Sequence, residues 1–217
     1  MSLIPDKPPF KLLDILYKKE FILFVVLVSI LIINSNISPY FLDLYNLIDS
    51  TFLFSEKAII ALTMTFVIIA RQIDLSVASI IAVSSVVLGY TTSLGYDTWL
   101  VLLLTLLSGT LCGAFNGAII TKFAIPSIIV TIGTMSLFRG LAYSFLEDSY
   151  YNKFPKLVGK LGGGYLYGYI PYAFLTFILL AFVFAFILHK TSIGKKIYSI
   201  GNNPDAAQYT GIAVDKY

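Results

Sequence analysis

Apolar residues in this chain come in long, nearly unbroken blocks, and a membrane core asks for about 20 such residues per helix. Blocks of that kind fall at 21–42, 58–70, 75–94, 99–121, 125–146 and 165–188. The first is expected to leave the bilayer between Asn34 and Pro39. The second is short and runs into Arg71-Gln72-Ile73-Asp74, and the fifth is interrupted by Arg139. Residues 146–165, rich in Gly, Lys and Tyr, read as an outer loop with some structure. No small-residue cleavage site follows the first block, which therefore reads as an uncleaved anchor. The pattern predicts an all-α, polytopic membrane protein of about six transmembrane helices.

Composition agrees with this reading. Hydrophobic residues make up 58% of the chain and charged residues 12%, against about 25% charged in soluble domains. The mean hydropathy is +0.85. The net charge of +3 is modest, and its lysines sit near span ends, which points to topology and not to nucleic acid. Cys112 lies within an apolar block, so no disulfide framework or zinc cluster is expected. Lys7, Lys11, Lys18 and Lys19 precede the first span, and Lys190, Lys195 and Lys196 follow the sixth. Both termini are thus expected to be cytoplasmic, with Lys122 also inside. Lys153, Lys156 and Lys160 run against that rule. Tyr40, Tyr45, Tyr90, Tyr96, Trp99, Tyr165, Tyr167 and Tyr169 would form an aromatic belt at the outer boundary.

Three polar features interrupt the apolar blocks. Arg71 to Ser76 places opposite charges, Arg71 and Asp74, between two apolar runs. In hydrocarbon this implies a helix break, a water-filled cavity or a mutual ion pair. A tight cytoplasmic turn, with Asp74 capping the next helix, explains it equally well. Gly109, Gly113 and Gly117 recur every four residues, flanked by Ser108, Cys112 and Asn116 at the same spacing. Such a glycine stripe lets another helix approach closely, and Asn116 can serve either a path or the packing. Ser127, Thr131 and Thr134 form a hydroxyl stripe suited to a neutral polyol, or to bonds back onto their own helix. Arg139 is expected to face the protein interior or an aqueous cavity.

Beyond the last span, residues 201–212 read as a short soluble helix. Asn203 can cap it, Pro204 fits its first position, Asp205 adds negative charge to its first turn, and Gly211 can close it. Ala206 and Ala207 would give it a smooth face, which fits docking against a partner and equally a surface helix with none. The stretch resembles the Glu-Ala-Ala-x-x-x-Gly loop by which ABC importer permeases engage their ATPases, with Asp205 in place of Glu.

Further matches follow in order over residues 62–212. Ile73-Asp74-Leu75-Ser76-Val77 resembles the Gly-Ile-Asp-Leu-Ser-Val-Gly signature of the permeases of ribose-type sugar ABC importers. Asn116-Gly117 before Lys122 and Pro126, then Thr131-Ile132-Gly133-Thr134-Met135 and Phe138-Arg139-Gly140, are similar to that family's central region. Thr191-Ser192-Ile193-Gly194 through Gly211-Ile212 resembles its cytoplasmic coupling segment. Relatives handle ribose, other pentoses and hexoses, rhamnose or autoinducer-2. The chain departs from the pattern at Gln72 and Ala78, where the family usually has glycine, and at the charged Arg71.

The resemblance implies one permease domain over 1–217: a cytoplasmic segment at 1–20, spans within 21–188 and a coupling segment at 189–217. It implies a subunit of the bacterial inner membrane that forms a sugar path and couples to a cytoplasmic ABC ATPase. An extracytoplasmic sugar-binding protein and a second permease subunit, identical or not, are the other partners, besides membrane lipid. No catalytic residue, metal or cofactor is expected in this chain; ATP and Mg would be held by the ATPase. Gly201, Asn202, Asp205, Ala206, Ala207 and Gly211 would couple to that ATPase. Arg71, Asp74, Ser76, Asn116, Thr131, Thr134 and Arg139 would serve the path or the packing, and Gly109, Gly113 and Gly117 the packing. Family members continue with further spans, so a truncated permease is expected.

Other classes remain. An amino-acid ABC permease shares a related architecture. An ion-coupled secondary transporter would need intramembrane carboxylates, for which Asp74 is the candidate. An intramembrane enzyme would need a nucleophile–base pair, and one Cys with one His gives that no support.

Overall fold

The computed structural model describes residues 19–146 and 150–216. Lys7, Lys11 and Lys18, and most of the expected N-terminal cytoplasmic segment, lie outside the described residues. The chain divides into two compact units, Met1–Ser50 and Thr51–Tyr217. In the first, α1 spans Lys19–Ile37, and Asn34 and Asn36 donate side-chain bonds to the carbonyls of Ile30 and Ile32 at 2.8 Å each. This helix exits where Asn34 to Pro39 predicted.

α2 spans Leu44–Ile69 and corrects the reading of a short second span beginning at residue 58. Glu56 and Lys57 ended the apolar block, but both side chains are exposed and the 26-residue helix runs through them. α3 (Val77–Ser93) has 17 residues, because Gln72 to Ser76 stay out of helix. At 1.5 Å per residue it is about 25 Å long, short of a hydrocarbon core. α4 (Thr98–Phe123) starts at Asp97, whose carboxylate accepts from Trp99 N at 2.9 Å, and ends at Ala124 in the left-handed region (φ 52°). α5 spans Ser127–Leu146.

The expected outer loop contains a short helix, α6 (Lys156–Gly163), and a hairpin of β1 (Tyr165–Leu166) and β2 (Ile170–Pro171). Tyr165 pairs with Pro171 and Leu166 with Ile170. Its turn places Tyr167 (φ 52°) and Gly168 (φ 80°) in the left-handed region that tight hairpins need. The last apolar helix, α7 (Tyr172–Lys190), therefore begins seven residues later than the block at 165–188 predicted. Two amphipathic pieces follow, α8 (Ser192–Asn202) and α9 (Pro204–Tyr209), then a 3₁₀ turn at Val214–Lys216.

Among the described residues, α1, α2, α4, α5 and α7 are long and apolar enough to cross a membrane, and α3 is a shorter apolar helix. The protein is thus an all-α, polytopic membrane protein. In Thr51–Tyr217, α3 packs against both α4 and α5. Phe115 of α4 meets Phe138 of α5 edge-on at 6.2 Å. The α2 and α7 rings pair twice, Phe54 with Phe177 at 5.6 Å and Phe66 with Phe184 at 5.2 Å. α5 is the most buried span, through Ser127, Val130, Thr131, Thr134, Phe138 and Ala142. Their spacing of three and four residues places them on one helical face.

Candidate functional site: an unwound segment beside a polar cavity

Between α2 and α3 the backbone unwinds. α2 ends in a Schellman motif: Arg71 N donates to Ile68 O at 2.9 Å and Gln72 N to Val67 O at 3.0 Å. Arg71 holds the left-handed position (φ 59°), which glycine usually takes. Gln72 to Leu75 then stay out of helix, and Ser76 O accepts the first bond of α3 from Ile80 N at 2.9 Å. Irregular backbone in a membrane needs protein partners, and α5 supplies them. Ser127 Oγ accepts from Ile73 N at 3.1 Å, and Thr131 Oγ1 donates to Ile73 O at 3.3 Å.

Asp74 closes the segment. Its Oδ1 accepts from Ser76 N at 2.7 Å and from Ser76 Oγ at 2.6 Å. Ser76, fully buried, in turn accepts from Asn116 Nδ2 at 2.8 Å. An Asp74–Ser76–Asn116 chain thus ties the start of α3 to α4. Arg71 and Asp74 do not pair: Arg71 is exposed, and the carboxylate is engaged by Ser76. Of the alternatives the sequence left open, the ion pair is set aside and the break is present; the expected cap is corrected, because Ser76 holds the N-cap position and Asp74 bonds Ser76 instead of capping α3. Two atoms stay unsatisfied here, Asn116 Oδ1 and Ser79 Oγ, both buried.

A cavity of about 660 Å³ lies against this segment. Gln72, Asp74, Asn116, Thr121, Ser127 and Thr131, with Asp215 and Lys216 from the 3₁₀ turn, supply its polar wall, while Gly113 and Gly117 open onto it. This corrects the glycine stripe as one packing seam. A Cβ at Gly109 would lie 3.1 Å from Ser84 Oγ of α3, but one at Gly113 or Gly117 would meet nothing within 4 Å. Thr134 is buried on the same face of α5 as Thr131, though outside the cavity wall. Of the two alternatives for Arg139, the protein interior is set aside, because the side chain is exposed. One residue past buried Phe138, it is turned about 100° away from the buried stripe.

At the far end of the chain, α9 forms as its residues dictate. Asn203 Oδ1 accepts from Ala206 N at 3.1 Å, and Pro204 sits in the first turn. Gly211 (φ 86°) donates to Gln208 O at 2.9 Å and Ile212 N to Ala207 O at 3.1 Å, a second Schellman closure. Asp205, Ala206 and Tyr209 are exposed, Tyr209 at 92%, whereas Ala207 is buried. The smooth exposed face is therefore Ala206 alone. Gly201 is buried too, while Asn202 beside it is exposed. Sequence reasoning gave no role to Ser79 or Gln72, and saw in Ser127 only part of a hydroxyl stripe. The residue before α5, Pro126, was the signal that Ser127 begins a helix.

An apolar helical bundle with an unwound polar segment, a cavity beside it and a capped helix beyond the last span defines a polytopic membrane protein with a polar site between its helices. The family described as "Branched-chain amino acid transport system / permease component" matches residues 46–217, and the chain belongs to that family. It is 34% identical over 197 residues to the ribose import permease protein RbsC of Haemophilus influenzae, covering 89% of this chain and 61% of that one. It is 31% identical over 206 residues to the autoinducer 2 import system permease protein LsrD of Klebsiella pneumoniae, covering 90% and 60%. It is 32% identical over 192 residues to the corresponding LsrC of Photorhabdus laumondii, covering 87% and 57%. The chain thus spans about three fifths of the length of these relatives. No solved structure matches. With its apolar helices, this family places the chain among multi-pass proteins of the inner membrane. These relatives are named for ribose and autoinducer 2, so they lend the amino-acid alternative no support.

Proposed function

We propose that this chain is the permease subunit of an ATP-driven importer for a neutral, polyhydroxylated solute of the ribose or autoinducer-2 class. The observation that carries this is the unwound segment at Gln72 to Ser76, held by the side chains of Asp74, Asn116, Ser127 and Thr131 and lying against a cavity of about 660 Å³. The hydroxyls and amides of that wall suit a sugar, which must exchange water for protein hydrogen bonds along its path, and the charged Asp74, Asp215 and Lys216 share it. Both termini lie in the cytoplasm, and α9 docks there on a separate ATPase that holds ATP and Mg. A binding protein delivers the solute to the opposite face, and a second permease subunit completes the path. Closure of the ATPase dimer moves α9 as a rigid piece, and the spans tilt with it to alternate access.

The test is accessibility of the cavity wall. With Cys112→Ser as background, Gln72→Cys or Thr131→Cys is assembled into the importer in vesicles and treated with a water-soluble thiol reagent. Labelling that changes when ATP is added, and that ribose or autoinducer 2 slows, supports the reading. Labelling indifferent to both removes this segment from the path.

A further inference from the structure

We infer that α8 is a strut between α7 and α2, and that Gly201 is the positioning residue through which displacement of α9 reaches the unwound segment. This deepens the proposed function and rests on it. It also reassigns Gly201, which the sequence placed on the docking surface.

The inference starts from two glycines seven residues apart on α8. Two helical turns separate them, so both lie on one face with Ile197 and Ile200. All four are buried, while Lys195, Tyr198 and Ser199 are exposed. Each glycine is a backbone-on-backbone contact. A Cβ on Gly194 would collide with the carbonyls of Leu188 and Ile187, at the end of α7. A Cβ on Gly201 would collide with the carbonyl of Ile69, and would lie 3.6 Å from Ala70 Cα. No side chain intervenes to absorb movement at either point.

What Gly201 touches gives the contact its meaning. Ile69 is the last residue of α2, and the left-handed Arg71 follows two residues later. Val67 and Ala70 line the polar cavity, and so does Ile200 beside Gly201. On its other side, α8 passes directly into α9, because Asn203 both ends α8 and caps α9. A push on α9 is therefore delivered to the carbonyl end of α2, beside the Asp74–Ser76–Asn116 chain. α8 is about 16 Å long and helical throughout, stiff enough to carry that push.

The experiment is hydrogen–deuterium exchange on the assembled importer in nanodiscs, with and without a non-hydrolysable ATP analogue, read on peptides covering residues 70–76. Three forms are compared: the unmodified chain, Gly201→Ala, and an insertion of two glycines between Asn202 and Asn203. The insertion leaves both glycine contacts intact and keeps the question answerable should Gly201→Ala fold poorly. The unmodified chain is expected to change its exchange at 70–76 several-fold on nucleotide binding. The insertion is expected to hold the ATPase while losing that response, and Gly201→Ala to do the same where it assembles. A response that persists in the insertion form, or that is missing from the unmodified chain, overturns the strut. Loss of the ATPase from Gly201→Ala at normal expression returns Gly201 to the docking surface and overturns it as well. Failure of the docking reading shows separately, as an ATPase that Gly211→Arg does not release.

Discussion

Replacing Asn116 with leucine separates what the polar chain does for transport from what it does for stability. Asn116 makes one hydrogen bond, from Nδ2 to Ser76 Oγ at 2.8 Å, and such a bond contributes about 1 kcal/mol net. Its Oδ1 is buried without a donor, which costs about 1–3 kcal/mol. Leucine is of similar size, so no large void follows. The substitution removes the favourable and the unfavourable contribution together, and the expected result lies between no change and a gain of about 2 kcal/mol. In a chain of this size about 1 kcal/mol moves Tm by about 2–4 °C. Thermal unfolding of the detergent-solubilised complex should therefore show a Tm that is unchanged or a few degrees higher, while sugar uptake in vesicles falls. A Tm lowered by more than about 4 °C would refute the reasoning, since it would mean that Oδ1 has a partner and that the residue is structural. Unchanged uptake would take Asn116 out of the path.

Other substitutions test the break and its surroundings. Arg71→Gly should raise stability by about 1 kcal/mol, because glycine takes the left-handed position without the steric penalty of a side chain; a lower Tm would show that the arginine side chain stabilises the turn. Ser127→Ala leaves Ile73 N without its acceptor and should lower stability by about 1–2 kcal/mol, with Ser127→Thr recovering most of it. Gly89→Val places a side chain against the Tyr151 ring, where even a Cβ would lie 2.6 Å away, and should cost about 1–3 kcal/mol. Tyr151→Ala in the same chain should offset much of that loss, and additivity of the two changes would deny the contact.

The apolar blocks made most of the fold legible, because a span of about 20 apolar residues has few alternatives. The caps of α9 were legible, since Asn203, Pro204 and Gly211 are local signals, but Gly201 and Asn202, read with it, belong to α8. The extent of α2 was not, since Glu56 and Lys57 break the apolar pattern without breaking the helix. Contacts between distant segments were equally hidden. Thr131 meets Ile73 across 58 positions and Asn116 meets Ser76 across 40, and no spacing rule connects them. The glycines show the same limit. Four-residue spacing put Gly109, Gly113 and Gly117 on one face, but what stands opposite decides their use, and it differs along the stripe. Gly201 looked like part of a surface motif, yet its hydrogen lies against the end of α2. Arg139 was assigned to the interior or an aqueous cavity because charge in a span is costly, and its register on α5 turns it away from the interior.

The central claim, an importer permease coupled through α9, is tested most directly by co-purification with its ATPase in detergent. The unmodified chain should hold the ATPase. Gly211→Arg, which adds bulk and charge at a left-handed position with open space around it, should release the ATPase while leaving the helical circular-dichroism signal unchanged. An ATPase held equally well by both forms would contradict the account.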